Sequence, residues 1–177
     1  MNTESRRHSG WPRSLAGLLT AVLLLLAAAC SPSRPDGQPQ ATAAEPLLAF
    51  TATTLDGQQF DGMSLSGKPV VLWFWAPWCP TCLGQAPGVR AAVDQHASKV
   101  NIVGVAGLDT ASAMPEFVRL AKLEGMTHLA DETGTVWKRF EVAAQSIFVF
   151  IDASGRMTFR GRLDADEIPG RVAALIT

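Results

Sequence analysis

The chain has 177 residues, with 15 Lys and Arg against 16 Asp and Glu and a formal net charge of −1. Without a basic block it lacks the electrostatic footprint that a nucleic-acid partner requires. Three cysteines and three scattered histidines, His8, His96 and His128, are too few for a zinc framework.

The first segment sets the compartment. Arg6, Arg7 and Arg13 precede an uncharged apolar stretch over 15–29 that ends in Ala27-Ala28-Ala29-Cys30. This resembles a bacterial lipoprotein signal, with Cys30 as the lipid-attachment residue. The stretch is short for a membrane span, which needs about 20 residues, so an uncleaved anchor is the alternative. Residues 31–45 carry no core-forming side chain and read as a disordered tether. The expected organisation is therefore a signal peptide at 1–29, a tether at 30–45 and one domain at 46–177, long enough to bury a core.

Within the domain, residues 50–55 and 58–60 read as a β-hairpin whose Asp56-Gly57 pair supplies the positive φ angles of a tight turn. Gly67-Lys68-Pro69 leads into the apolar run at 70–75, which suits a central strand covered on both faces and places Trp73 and Trp75 in the core. The strand ends at Cys79-Pro80-Thr81-Cys82, which opens a helix with Pro80 at its first position, where a missing N–H costs nothing. Val89, Ala92, Val93 and His96 continue that helix, and Pro87 is expected to kink it.

A second buried strand covers 100–106. Thr110 or Ser112 is expected to cap the next helix, with Phe117, Leu120 and Ala121 facing inward and Gly125 ending it. A short strand at 127–130 holds His128 as a packing residue, and Val136, Trp137 and Phe140 mark a short helix. Residues 147–151 and 157–161 form a hairpin around Ala153-Ser154-Gly155, and a last helix begins near Asp164.

The C-x-x-C carries the chemistry. Two sulfurs one helical turn apart can reach bonding distance. Unpaired N–H groups and the positive end of the helix favour thiolate at Cys79, with Cys82 as the more buried resolving thiol. A free cysteine of pKa about 8.5 is about 3% ionised at neutral pH, and lowering it by about two units, or about 2.7 kcal/mol, makes it mostly thiolate. Nucleophilicity falls with basicity while leaving ability rises, so the shift chiefly makes a better disulfide donor. A purely structural bridge would close almost no loop and restrain the unfolded chain little. The reading is a redox-active disulfide with no further cofactor.

A C-x-x-C after the first central strand of a mixed sheet resembles the thioredoxin fold. More narrowly, the chain from about Leu48 resembles the TlpA-like family of membrane-tethered or secreted thioredoxins. The matching pieces are Phe50-Thr51, Leu55-Asp56-Gly57, Gly67-Lys68-Pro69, Trp75-Ala76-Pro77-Trp78-Cys79-Pro80-Thr81-Cys82, Pro87, Asp131-Glu132-Thr133-Gly134 and Phe148-Val149-Phe150-Ile151-Asp152. The tryptophan-rich stretch from Trp73 to Cys82 is similar to secreted DsbE-like proteins of actinobacteria. The resemblance implies an α/β thioredoxin-like fold, a mixed central sheet with helices on both faces and an added N-terminal β-hairpin. It also implies that Cys79 and Cys82 are catalytic and that Trp78, Pro80 and Thr81 complete the active-site motif. The Trp78 ring would flank a peptide groove, and the loop at Gln145 and Ser146 would bind substrate.

Three positions depart from the family. Ser146 stands where a cis-proline faces the cysteines; a non-proline cis peptide costs about 2.5 to 4 kcal/mol, so the Gln145–Ser146 bond is expected to be trans, or strained if it copies the family loop. Trp73 stands where thioredoxins bury an aspartate, and Gln85 where TlpA-like reductases often place a glutamate, so Cys82 loses a nearby base.

The expected function is an extracytoplasmic thiol–disulfide oxidoreductase, lipid-anchored at the outer face of the cytoplasmic membrane. It would exchange disulfides with exported proteins and be served by a membrane redox partner. The missing carboxylates and the DsbE-like motif lean toward oxidation over reduction. The alternative is a thioredoxin-fold lipoprotein that binds a soft metal or a partner without turnover. A peroxidase would carry a threonine two or three residues before its reactive cysteine, where this chain has Pro77 and Ala76.

Overall fold

The computed structural model describes residues 46–176. The signal segment, Cys30 and the tether lie outside them. In chain order the described elements are β1 (Thr51–Thr54), β2 (Gln59–Asp61), β3 (Val70–Trp75), α1 (Pro80–His96), β4 (Asn101–Ala106), α2 (Met114–Ala121), β5 (Thr127–Ala130), α3 (Thr135–Arg139), β6 (Ile147–Ile151), β7 (Met157–Gly161) and α4 (Glu167–Ala174). They form one mixed sheet in the order β2-β1-β5-β4-β3-β6-β7, with β3, β4 and β5 parallel and the other pairs antiparallel. This is the thioredoxin-like fold with the extra hairpin β1-β2 at one edge. No helix among the described residues is long and apolar enough to cross a membrane.

The pleat of β3 decides the two layers, because successive side chains point to opposite faces. Val71, Trp73 and Trp75 pack with Ala86, Val89 and Ala92 of α1, Phe117 of α2 and Val172 of α4. Val70, Leu72 and Phe74 pack with Val136 and Trp137 of α3, Phe140, and Leu48 and Phe50 of the N-terminal segment. Covered on both sides, β3 is buried at every position. At about 25 cal/mol per Å² of apolar area, one such strand is a main source of stability and a rigid base for whatever follows its last residue.

Several local expectations change. In the β1-β2 connection only Gly57 has positive φ, and its N–H closes a turn on the Thr54 carbonyl at 2.9 Å, so the turn is wider than a two-residue hairpin loop. Helix α2 buries Met114, Phe117, Val118 and Ala121, the i, i+3, i+4, i+7 stripe, and leaves Leu120 exposed on the outer side. It also stops before Gly125: Lys122 takes the left-handed cap at φ +56, and Leu123 donates back to the Val118 carbonyl while burying its side chain. A short 3₁₀ turn at Ala111–Ala113 precedes α2, and Thr110 makes no side-chain cap bond to it. Helix α4 begins at Glu167 rather than near Asp164, and the Glu167 carboxylate instead accepts the Asp164 N–H at 2.9 Å. Helix α1 runs from Pro80 to His96 with Pro87 inside it.

His128 is buried on β5, edge-on to the Trp75 ring, with Nε2 3.2 Å from the Leu123 carbonyl. Burial pushes its pKa down from 6.5 to about 4, the Leu123 carbonyl opposing in part. The folded state therefore holds His128 neutral while the unfolded chain protonates it below 6.5. Its contribution to stability is complete above that pH and is lost as pH falls toward 4. Between pH 7.5 and 4.5 the loss is expected to be about 2.5 kcal/mol. Urea unfolding at the two pH values checks it: His128→Gln should remove that much of the pH dependence, whatever its effect at neutral pH.

Candidate active site

The Trp75-Ala76-Pro77-Trp78 segment carries the chain from the end of β3 into α1. The Cys79 N–H donates to the Ala76 carbonyl at 3.1 Å, closing a turn, and Cys79 becomes the N-cap with φ −90° and ψ 105°. Pro80 follows at the start of the helix. No acidic residue lies in the first helical turn, so nothing there offsets the positive end of the dipole.

Cys79 and Cys82 are joined by a disulfide, with Cα atoms 5.3 Å apart. The Cys82 N–H donates to Cys79 Sγ at 3.0 Å. Cys79 keeps 3% of its surface exposed and Cys82 none, which makes Cys79 the sulfur an incoming thiolate can reach. Pro80 and Thr81 lie outside on the exposed face of the first turn. Trp78 is 53% exposed beside Cys79, and its indole N–H donates to the Leu108 carbonyl at 3.3 Å. Leu108 is itself half exposed, with a left-handed φ of +62°. The indole is thus tied to the backbone of a loop 30 residues further along the chain, a bond that sequence spacing does not show.

The loop before β6 closes the site from the other side. Ser146 is buried, and its N–H donates to the Phe74 carbonyl at 2.8 Å. Its φ of +67° lies in the left-handed region, where an L-residue costs about 1 to 2 kcal/mol. Proline fixes φ near −65° and has no N–H, so this loop conformation is one proline could not adopt. The Ser146 backbone donor is spent on Phe74, and the residue turns its hydroxyl to the sulfurs: Oγ is 3.2 Å from Cys79 Sγ and 3.2 Å from Cys82 Sγ. Gln145 remains half-buried at the edge of the loop.

The two positions that lack the family's carboxylates meet one another. Trp73 Nε1 donates to Gln85 Oε1 at 3.0 Å, and Gln85 Nε2 donates to the carbonyls of Leu163 at 2.8 Å and Ser146 at 3.3 Å. One buried amide thus satisfies an indole on β3, the loop before α4 and the Ser146 loop, which matters because each buried polar group left unpaired costs about 1 to 3 kcal/mol. The loop reaches α1 because residue 88 is glycine: a Cβ there would overlap the Ala165 carbonyl. The clue in the sequence is spacing, since Gln85 lies three residues after Cys82 on the same helix face. Its partners are distant in the chain and carry no such signal. Among the described residues no group of three or more His, Cys, Asp and Glu side chains could hold a metal ion.

Comparison with known proteins matches the AhpC/TSA family to residues 43–160. The soluble secreted antigen MPT53 of Mycobacterium tuberculosis is 45% identical over 141 residues, 77% of this chain and 80% of that protein. Among solved structures, MTB DsbF in its mixed oxidised and reduced forms shares 49% identity with a TM-score of 0.70, covering 75% of this chain and 99% of that one. A secreted M. tuberculosis disulfide oxidoreductase homologous to E. coli DsbE shares 43% identity with a TM-score of 0.68, covering 74% and 99%.

Proposed function

We propose, from the premise that this chain belongs to the AhpC/TSA family and is a thiol–disulfide oxidoreductase of the thioredoxin type, that it exchanges disulfides with exported proteins outside the cytoplasm, chiefly as an oxidase. The observation that carries the reading is the Cys79–Cys82 disulfide at the lip of α1, with the partly reachable sulfur next to an exposed indole. A client thiolate attacks Cys79 Sγ; the bond to Cys82 breaks and its electron pair stays on Cys82 Sγ. A second client thiolate then attacks the client sulfur of the mixed disulfide and releases Cys79 as thiolate. The client has lost two electrons and the pair has gained them, to be removed by a membrane redox partner.

Two features support the oxidising direction. The helix end and the Cys82 N–H stabilise negative charge on Cys79, which favours the reduced form of the pair. The neutral Trp73–Gln85 pair puts no like charge near the sulfurs where a carboxylate would oppose the thiolate. Residues 1–29 serve in this reading as a lipoprotein signal, Cys30 as the lipid-attachment site and residues 30–45 as the tether, in keeping with secreted relatives.

The test is a reduction potential measured against glutathione, together with refolding of reduced, unfolded ribonuclease and reduction of insulin. A potential well above about −270 mV with ribonuclease oxidation supports the reading, and a value at or below that of thioredoxin reverses the direction. Tight stoichiometric binding of copper by the reduced protein, without turnover in either assay, would replace it with a binding role. Removing the rim indole by Trp78→Ala is expected to raise KM for the unfolded client about tenfold and leave the potential unchanged.

A further inference from the structure

The Ser146 hydroxyl has two hydrogen-bond partners among the described residues, and both are the sulfurs of the redox pair. We infer that Ser146 is a catalytic donor of this site: its hydroxyl stabilises whichever sulfur carries the charge when the Cys79–Cys82 disulfide opens. The inference rests on the exchange reaction proposed above and names the group that serves it.

The backbone fixes where that hydroxyl points. The Ser146 N–H is held by Phe74, its carbonyl by Gln85, and the left-handed φ between them turns the side chain inward. Strain of this kind persists only where the surroundings impose it. In the oxidised pair the two sulfurs are neutral and weak acceptors, so an O–H at 3.2 Å gains little. Charge changes this, because a hydrogen bond to an ionised acceptor is about twice as strong as a neutral one.

The sequence of events uses both contacts. When a client thiolate bonds to Cys79 Sγ, the electron pair of the broken S–S bond goes to Cys82 Sγ, which has no exposed surface and meets the Ser146 O–H instead of water. A proton from the client's second thiol then reaches Cys82. When Cys79 leaves as thiolate in the next step, the hydroxyl rotates to it and joins the Cys82 N–H already aimed there. The donor strengthens in the anionic states and not in the disulfide, so it makes the pair more oxidising as well as faster.

Ser146→Ala and Ser146→Gly both remove the hydroxyl, and glycine also relieves the left-handed backbone, which separates a donor effect from a conformational one. Both variants are expected to shift the glutathione equilibrium about tenfold toward the disulfide, a potential lower by about 30 mV, and to move the alkylation midpoint of Cys79 to higher pH. An unchanged potential and midpoint in both, or shifts of opposite sign in the two, would overturn the inference. These readouts need no client. A wild-type protein that fails to oxidise ribonuclease while the variants still shift the potential would defeat the functional reading and leave this assignment standing.

Discussion

Cys79→Ser is expected to reduce disulfide exchange to the uncatalysed background with little change in stability. Serine supplies a similar shape at the N-cap and is itself a favoured capping residue, so the helix start survives. What is lost is the only sulfur of the pair with any exposure. Cys82 cannot substitute for it, because it is fully buried beneath Cys79 and a hydroxyl forms no mixed disulfide. Closing a loop of two intervening residues restrains the unfolded chain little, so losing the bridge costs far less than losing a long-range disulfide. The check is turnover with reduced ribonuclease beside a urea melt. Measurable turnover by Cys79→Ser would show that the reactive sulfur has been misassigned.

A larger effect on stability is expected from Gln85→Glu, which restores a carboxyl at the position where related reductases often carry one. The glutamine amide donates to two carbonyls and accepts from the Trp73 indole, all of it buried. A glutamate can keep the indole bond with one oxygen. Its other oxygen then faces the Ser146 and Leu163 carbonyls, and only a protonated carboxyl has anything to donate to them. The folded state therefore holds this carboxyl above its ordinary range, through burial and the facing carbonyls. The sign follows. Below about pH 4.3 both folded and unfolded chains are protonated and the penalty is small; as pH rises, the unfolded chain ionises and stability falls until the folded group ionises too. At pH 7 the loss is expected to reach about 3 kcal/mol. Gln85→Leu leaves the same three partners unpaired with no group to titrate, so its loss should not depend on pH in this way. Denaturant melts of both variants from pH 4 to 7.5 separate the two, and a Gln85→Glu protein as stable as wild type at pH 7 would show that the amide network is not what holds this region together.

Much of this arrangement could be read from residue order. An unbroken apolar run at 70–75 followed by Cys-Pro-Thr-Cys suits a central strand, covered on both faces, that feeds a helix. The C-terminal hairpin was equally plain, with Gly155 at φ +85° where the turn needs it. Residue order and structure part where local signals compete. Gly125 is the residue order's signal for the helix stop, yet the chain takes its left-handed cap at Lys122 and buries Leu123 directly after it. Leu120 reads as core by its apolar side chain, but at about 100° per residue it falls outside the Met114, Phe117, Val118 and Ala121 stripe that α2 buries.

At the site, spacing located both sulfurs and could have placed Gln85 on their face of α1. It could not pair Gln85 with Trp73, Leu163 and Ser146, since those contacts are made by the sheet and two loops rather than by neighbours in the chain. The same holds for Ser146. Sequence alone marked it as a departure from proline; its positive φ and its approach to both sulfurs belong to the folded loop.

The central claim is that Cys79 is the sulfur through which this protein joins covalently to exported proteins, and trapping tests it most directly. Reduced Cys82→Ser protein, mixed with exported proteins that retain disulfides and quenched with acid, should yield mixed disulfides whose mapped peptides contain Cys79. Without Cys82 to resolve them, they should persist until a reductant is added. An absence of adducts, or adducts of equal yield formed by Cys82 in the Cys79→Ser protein, would contradict the account.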